Sequence, residues 1–207
     1  MGQYYLPYLV QGNEITVFDN KVDDDWVGLK LMEHSYWGNT YVGQVINALY
    51  YKKGNVCWVG DYYNEDDYSQ VNCDKETVKM IGELVWKDNS PIEPTKGTKH
   101  TSRRLNHCLL VNHTKKLYID CDNYFKQNKW VETYEGKKYN WCIHPLPLLT
   151  CTASHSGGSY YGINKDLCGT WFNDLLEVID NEPWEIEDLK KQGYKKFTPR
   201  FSEREQD

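Results

Sequence analysis

The sequence has no Cys-x-x-Cys pair, no apolar stretch long enough to cross a bilayer, no internal repeat and no excess of positive charge. Each absence narrows the function. Clustered Lys and Arg displace counterions from duplex nucleic acid, and a formal net charge of −6 argues against a broad phosphate-binding surface. Basic residues gather only locally, at Lys96, Lys99, His100, Arg103 and Arg104 and again between Lys190 and Arg200. Neither patch carries enough interleaved aromatics to track a single strand. The acidity is also too mild to suggest a DNA mimic. The cysteines, Cys57, Cys73, Cys108, Cys121, Cys142, Cys151 and Cys168, are odd in number, and no charged-then-apolar leader opens the sequence. Together these features predict a reducing cytosol, with thiols filling core positions. Gly2 follows Met1, but Leu6 stands where a myristoylation signal needs Ser or Thr.

What is present in quantity is aromatic. Among 207 residues there are 17 tyrosines and 8 tryptophans, while the 26% charged and 40% hydrophobic fractions are ordinary for a globular chain. Tyrosine and tryptophan suit half-wet positions such as strand faces, pocket walls and interfaces. The commoner meaning is a sheet-rich protein with cross-strand aromatic pairs. The sharper one is a pocket for a planar or sugar-bearing ligand.

Local patterns sketch the elements. Tyr4 to Val10 and Glu14 to Phe18 are β-prone and flank Gln11-Gly12-Asn13, which predicts a hairpin, with Pro7 placing the first strand at an edge or bulging it. Val42, Val45, Ile46 and Leu49 repeat at helical spacing between a capping Asn39 and a terminating Gly54. Val56 to Val59 reads as a buried strand. A second helix is expected from Asp74, then an exposed loop over 87–104. Cys108 to Val111 and Leu117 to Cys121 flank "NHTK" as a hairpin. The stretch "YNWCIHPLPLLTCTA" should run extended until its prolines intervene, and "GTWFNDLLEVID" fits helix or strand. Pro183 early and Gly193 late frame a short helix. The sum is one α+β domain over 1–201, a largely antiparallel sheet with two or three packed helices, and a mobile tail over 202–207.

Three polar groupings could carry chemistry. Asp61 ends the buried strand, and Glu65, Asp66 and Asp67 follow. Consecutive loop acids diverge, and the spacing is neither that of an EF-hand nor that of a metallophosphoesterase, so a carboxylate at a turn is the commoner reading. The histidines come next. His107 and His113 bracket a strand, and Cys142 and His144 would share one face of a strand. This makes His107, Cys142 and His144 weak metal-ligand candidates against the usual buried histidine beside a core thiol. Third, the hairpin tip with Thr114 and Lys115 and the turn "SHSGGSYY" with Gly157 and Gly158 both offer backbone N–H groups to an anion. No dinucleotide or Walker pattern is present. If both turns lie at one end of the sheet, they form a pocket with Trp58, Asp61, His113, Tyr160 and Tyr161. Two unrelated surface turns is the simpler reading.

The segments "MGQYY", "HSYWGN", "WVGDY", "VNHTKK", "IHPLPLLT" and "GGSYYG" together resemble a group of small uncharacterised proteins of phages, prophages and their bacterial hosts. The resemblance spans most of the chain and brings no activity, cofactor or functional residue. It implies a setting: a cytosolic product of a phage or mobile element, acting on host processes or host defence. The leading expectation is therefore a binding protein without a cofactor, which captures a nucleotide-like small molecule or blocks a host protein. A homo-oligomer sharing a pocket is compatible with it. The rivals are a hydrolase or phosphodiesterase using His113, His144 and Asp61, and an acidic protein–protein inhibitor.

Overall fold

The computed structural model describes residues 4–18, 21–22, 25–26, 29–30, 35, 37, 39–60, 107–152 and 165–201. The expected helix from Asp74, the loop over 87–104, the glycine-rich turn and the tail lie outside the described residues, as do Asp61, Gly157, Gly158, Tyr160 and Tyr161.

β1 (Tyr4–Gln11) and β2 (Glu14–Val17) form the first hairpin, closed where Gln11 pairs with Glu14. Gly12 takes a φ of 68° there, at the first position of a two-residue loop, where side chains are disfavoured. Pro7 does not put β1 at an edge. β1 lies inside the sheet, paired with β6 (Gly54–Gly60) on one side and with β2 and the two-residue β5 (Leu29–Lys30) on the other. β2 pairs from Tyr8 onward and β5 at Tyr4 and Tyr5, so Pro7 falls in the gap between them. Its carbonyl accepts the Phe18 N–H at 3.1 Å, on the side where its own missing N–H would have pointed. A proline is tolerated there because its missing N–H faces away from β6, at the end of the β1–β2 ladder, where the one bond forfeited is the reciprocal one to Phe18.

α1 (Thr40–Tyr51) begins as expected, with the Asn39 side chain accepting the Tyr41 N–H at 2.9 Å. It ends before Gly54, on an extended Lys52. Gly54 instead opens β6, where a Cβ would sit 2.6 Å from the Val10 carbonyl oxygen. The residue is glycine because two backbones approach closely.

β7 (Cys108–Asn112) and β8 (Leu117–Asp120) form the second expected hairpin. The chain then turns at once into α2 (Cys121–Asn128), capped by Asp120. A separate hairpin follows, β9 (Trp130–Tyr134) with β10 (Lys137–Trp141). The run expected to stay extended until its prolines is β10 together with the stretch to His144. α3 (Pro145–Thr150) starts at the first proline, which lacks only an N–H that the first helical turn leaves unpaired anyway. The ambiguous segment is a strand, β11 (Leu175–Asp180), and α4 (Pro183–Lys191) leads to the two-residue β12 (Lys195–Lys196).

The main sheet runs β12-β8-β7-β11-β6-β1-β2, with β5 alongside β1; β12 lies parallel to β8 and the other pairs are antiparallel. With α1 to α4 among the described residues, this is the expected α+β fold with one helix more than predicted. The β3–β4 pair (Lys21–Val22 with Asp25–Trp26) stands apart. One face of the sheet packs Val56, Trp58, Leu110, Leu176 and Val178 with Val42, Val45, Ile46 and Leu49 of α1 in a single buried cluster. Burying each such side chain contributes about 1.5–3 kcal/mol. On the other face, Leu109, Val111 and Tyr118 form a smaller cluster with Leu189 of α4 and Tyr194.

Candidate functional site

The β7–β8 turn gathers the polar residues. Asn112 ends β7 wholly buried, and its carboxamide works in both directions. Oδ1 accepts the Lys115 N–H at 2.9 Å, closing the turn, and Nδ2 donates to Asp174 Oδ2 at 2.8 Å. The Lys115 ammonium sits 3.4 Å from the same carboxylate oxygen. The His113 N–H donates to the Leu175 carbonyl, and the Leu175 N–H donates to Thr114 Oγ1, both at 2.9 Å. These bonds answer the anion-site expectation for this hairpin. The N–H groups of His113 and Lys115, the Thr114 hydroxyl and the Lys115 charge all serve the fold, locking the tip to the start of β11.

On the opposite face a second set is built around His113. Nε2 lies 2.8 Å from Glu177 Oε2 and Nδ1 lies 2.6 Å from the Tyr194 hydroxyl. Lys116 Nζ donates to that hydroxyl at 3.2 Å and stands 4.3 Å from the centre of the Tyr194 ring. Partner chemistry assigns the protons. A carboxylate only accepts, so the neutral ring carries its hydrogen on Nε2 and presents the Nδ1 lone pair to the phenol. Strand alternation explains the convergence. His113 follows Leu109 and Val111 on one face, Glu177 precedes Ile179 on the same face, and the α4–β12 connection brings Tyr194 over both. The side chains of His113 and Glu177 keep 18% and 30% of their surface in solvent, while Tyr194 beneath them is 5% exposed.

The remaining candidates are scattered. His144 is wholly buried; its backbone N–H donates to the Ser35 carbonyl and its Nδ1 accepts the Leu146 N–H at 3.1 Å, so it caps α3. Its ring lies 4.4 Å from that of Trp37, centre to centre, and among the described residues its Nε2 has no hydrogen-bond partner. Burial pushes its pKa down to about 3, which keeps the ring neutral. Cys142 turns its thiol to the Ile143 carbonyl at 3.6 Å, and burial pushes that thiol up to about 12. His107 is exposed and pairs with Asp122 at 3.3 Å. Among the described residues, no group of three or more His, Cys, Asp or Glu side chains converges as a metal site would.

Trp58 belongs to the large core cluster. The hairpin tip meets β11 at Leu175, which pairs with Asn55 of β6, three residues before Trp58. Two strand spacings and three residues of rise separate Trp58 from the tip by about 14 Å. Trp58 lies in the cluster on the α1 side of the sheet, whereas His113 lies on the face of Leu109 and Val111. The Thr152 hydroxyl accepts the Gly60 N–H at 3.0 Å, at the other end of β6.

Asn112, Asp174, Glu177 and Tyr194 were not singled out in the sequence. Asn112 had a usable signal, as an Asn closing a strand before a turn. The others are distant in sequence and become neighbours only through the pairing of β7 with β11 and the return of the chain after α4. Among the described residues, no helix is long and apolar enough to cross a membrane. Comparison with known families, curated proteins and solved structures finds no match to this chain.

Proposed function

We propose that the chain is a cytosolic binding protein of the phage or mobile-element type, which acts on its host by holding a nucleotide-like small molecule or blocking a host protein. The observation that carries this reading is an aromatic side chain presented to solvent, while His144, one of the candidate catalytic histidines, is enclosed as a helix cap. That side chain is Trp184, on α4, which is 64% exposed, and tryptophan is enriched at the centres of interfaces. Native mass spectrometry of the protein purified from its host tests the reading. A retained nucleotide or a stoichiometric host protein supports it, and a bare chain counts against it.

A second reading, a hydrolase or phosphodiesterase, is favoured by the pairing of His113 with Glu177. A histidine oriented by a carboxylate is the usual way to present a general base. Hydrolysis of a generic phosphodiester that is lost in His113→Gln would support that reading.

A further inference from the structure

Tyr194 is held between a base and a cation. Its hydroxyl lies 2.6 Å from His113 Nδ1 and 3.2 Å from Lys116 Nζ, and the other nitrogen of His113 is fixed at 2.8 Å by Glu177. Carboxylate, imidazole and hydroxyl in that order are the components that activate a weak oxygen nucleophile: an orienting group, a base and the atom to be deprotonated. The ammonium beside the oxygen adds electrostatic stabilisation of the phenolate.

We propose that Tyr194 is an activated nucleophile able to accept an electrophilic phosphoryl group from a phosphate ester or anhydride. The phenolic oxygen attacks phosphorus, and an O–P bond forms as the bond to the leaving group breaks. The phenolic proton passes to His113 Nδ1. The imidazolium so formed is balanced by Glu177 and gives its proton to solvent, while the leaving group departs on the far side of phosphorus and takes its proton from water. No oxidant, reductant or metal is required. Lys116, whose backbone takes a φ of 54° at the turn, supplies the positive charge that an incoming phosphoryl group would meet. This inference stands apart from the binding reading. A bare native mass spectrum leaves it intact, and its failure leaves the binding reading intact.

The test uses the whole chain and benzenesulfonyl fluoride, a small electrophile that reports phenolate reactivity: an O–S bond forms, the S–F bond breaks and fluoride leaves. Peptide mass spectrometry follows the labelling rate of each tyrosine, with Tyr51, which is 70% exposed, as the internal reference. General-base assistance is typically worth at least about 100-fold, so Tyr194 is expected to react at least ~10-fold faster than Tyr51 despite its burial. Lys116→Met and Glu177→Gln should each slow Tyr194 by ~10-fold or more and leave Tyr51 unchanged. His113→Gln should slow it further, and its thermal melt shows whether it has folded; the other two variants carry the test if it has not. Labelling of Tyr194 no faster than Tyr51, or a rate indifferent to both Lys116→Met and Glu177→Gln, overturns the proposal.

Discussion

Asn112 and Asp174 meet inside the protein, carboxamide to carboxylate at 2.8 Å, and neither is more than 4% exposed. The contact ties the β7–β8 turn to the entry of β11, so one buried amide holds the turn conformation and a buried charge together. Asn112→Ala removes both bonds and leaves Asp174 with only the Lys115 ammonium. An unsatisfied buried polar group costs about 1–3 kcal/mol, and urea denaturation should show a loss of that size with an unchanged m-value.

His144 makes stability depend on pH. Its folded-state pKa of about 3 lies below the ordinary 6.5, so the unfolded chain takes up a proton first as pH falls. The contribution is fully present above pH 6.5 and is lost progressively toward pH 3. Its slope approaches about 1.4 kcal/mol per pH unit. In His144→Asn the cap acceptor is kept and the titration is removed. Denaturation midpoints measured from pH 7 to 5 should fall less steeply for that variant than for the parent chain.

Asp120 anchors the sheet edge. It caps α2 through the Asn123 N–H, accepts from Asn181 and pairs with Lys196 of β12 at 3.0 Å. Burial alone would raise its carboxyl, but the Asn123 amide, the Lys196 ammonium and the Asn181 amide outweigh it and hold the group below the usual 3.8. Its stabilisation is therefore present above the unfolded-state value and lost as pH falls below it. Asp120→Ala should cost about 1–2 kcal/mol, the range for a lost cap. Hydrogen exchange should quicken at the Lys195 and Phe197 amides, which bond to β8 and the turn before it.

Gly54→Ala places a methyl group against backbone. The Val10 carbonyl oxygen would lie 2.6 Å from it, with Leu9 Cδ1 at 2.8 Å. A carbonyl in a paired strand cannot swing away, so the β1–β6 ladder must shift. Overpacking of this kind costs about 1–3 kcal/mol, read as a lower thermal midpoint.

Cys57, Cys108, Cys121, Cys142, Cys151 and Cys168 are all buried, and burial raises the Cys142 thiol. Thiolate is the reactive form, so iodoacetamide should leave these six unmodified in the native chain and label them after unfolding. Rapid native labelling of Cys142 would contradict its placement.

The elements legible in the sequence were those whose pattern is local. The β1–β2 hairpin, α1 with its Asn39 cap and the β7–β8 hairpin each carry turn residues and periodicity within a dozen positions. α2 is hard to read in the sequence because Cys121–Asn128 turns only Cys121, Tyr124 and Phe125 inward, a single turn of pattern. α3 is not legible in the sequence because Pro145 and Pro147 signal a break, whereas the first turn of a helix accommodates them. Of the candidate site, His113 could be found from its hairpin. Glu177 and Tyr194 could not, since their proximity depends on which strands pair.

The position of β11 has a consequence for how the chain acquires its shape. Residues 175–180 enter between β7 and β6, which are themselves 48 or more positions apart in sequence. Without that segment the described strands divide into two groups, β1, β2 and β6 on one side and β7 with β8 on the other, each open where β11 would join. The last quarter of the chain thus acts as the keystone. Distant pairings of this kind slow folding, and a ribosome stalled before Leu175 would release two incomplete sheets exposed to aggregation.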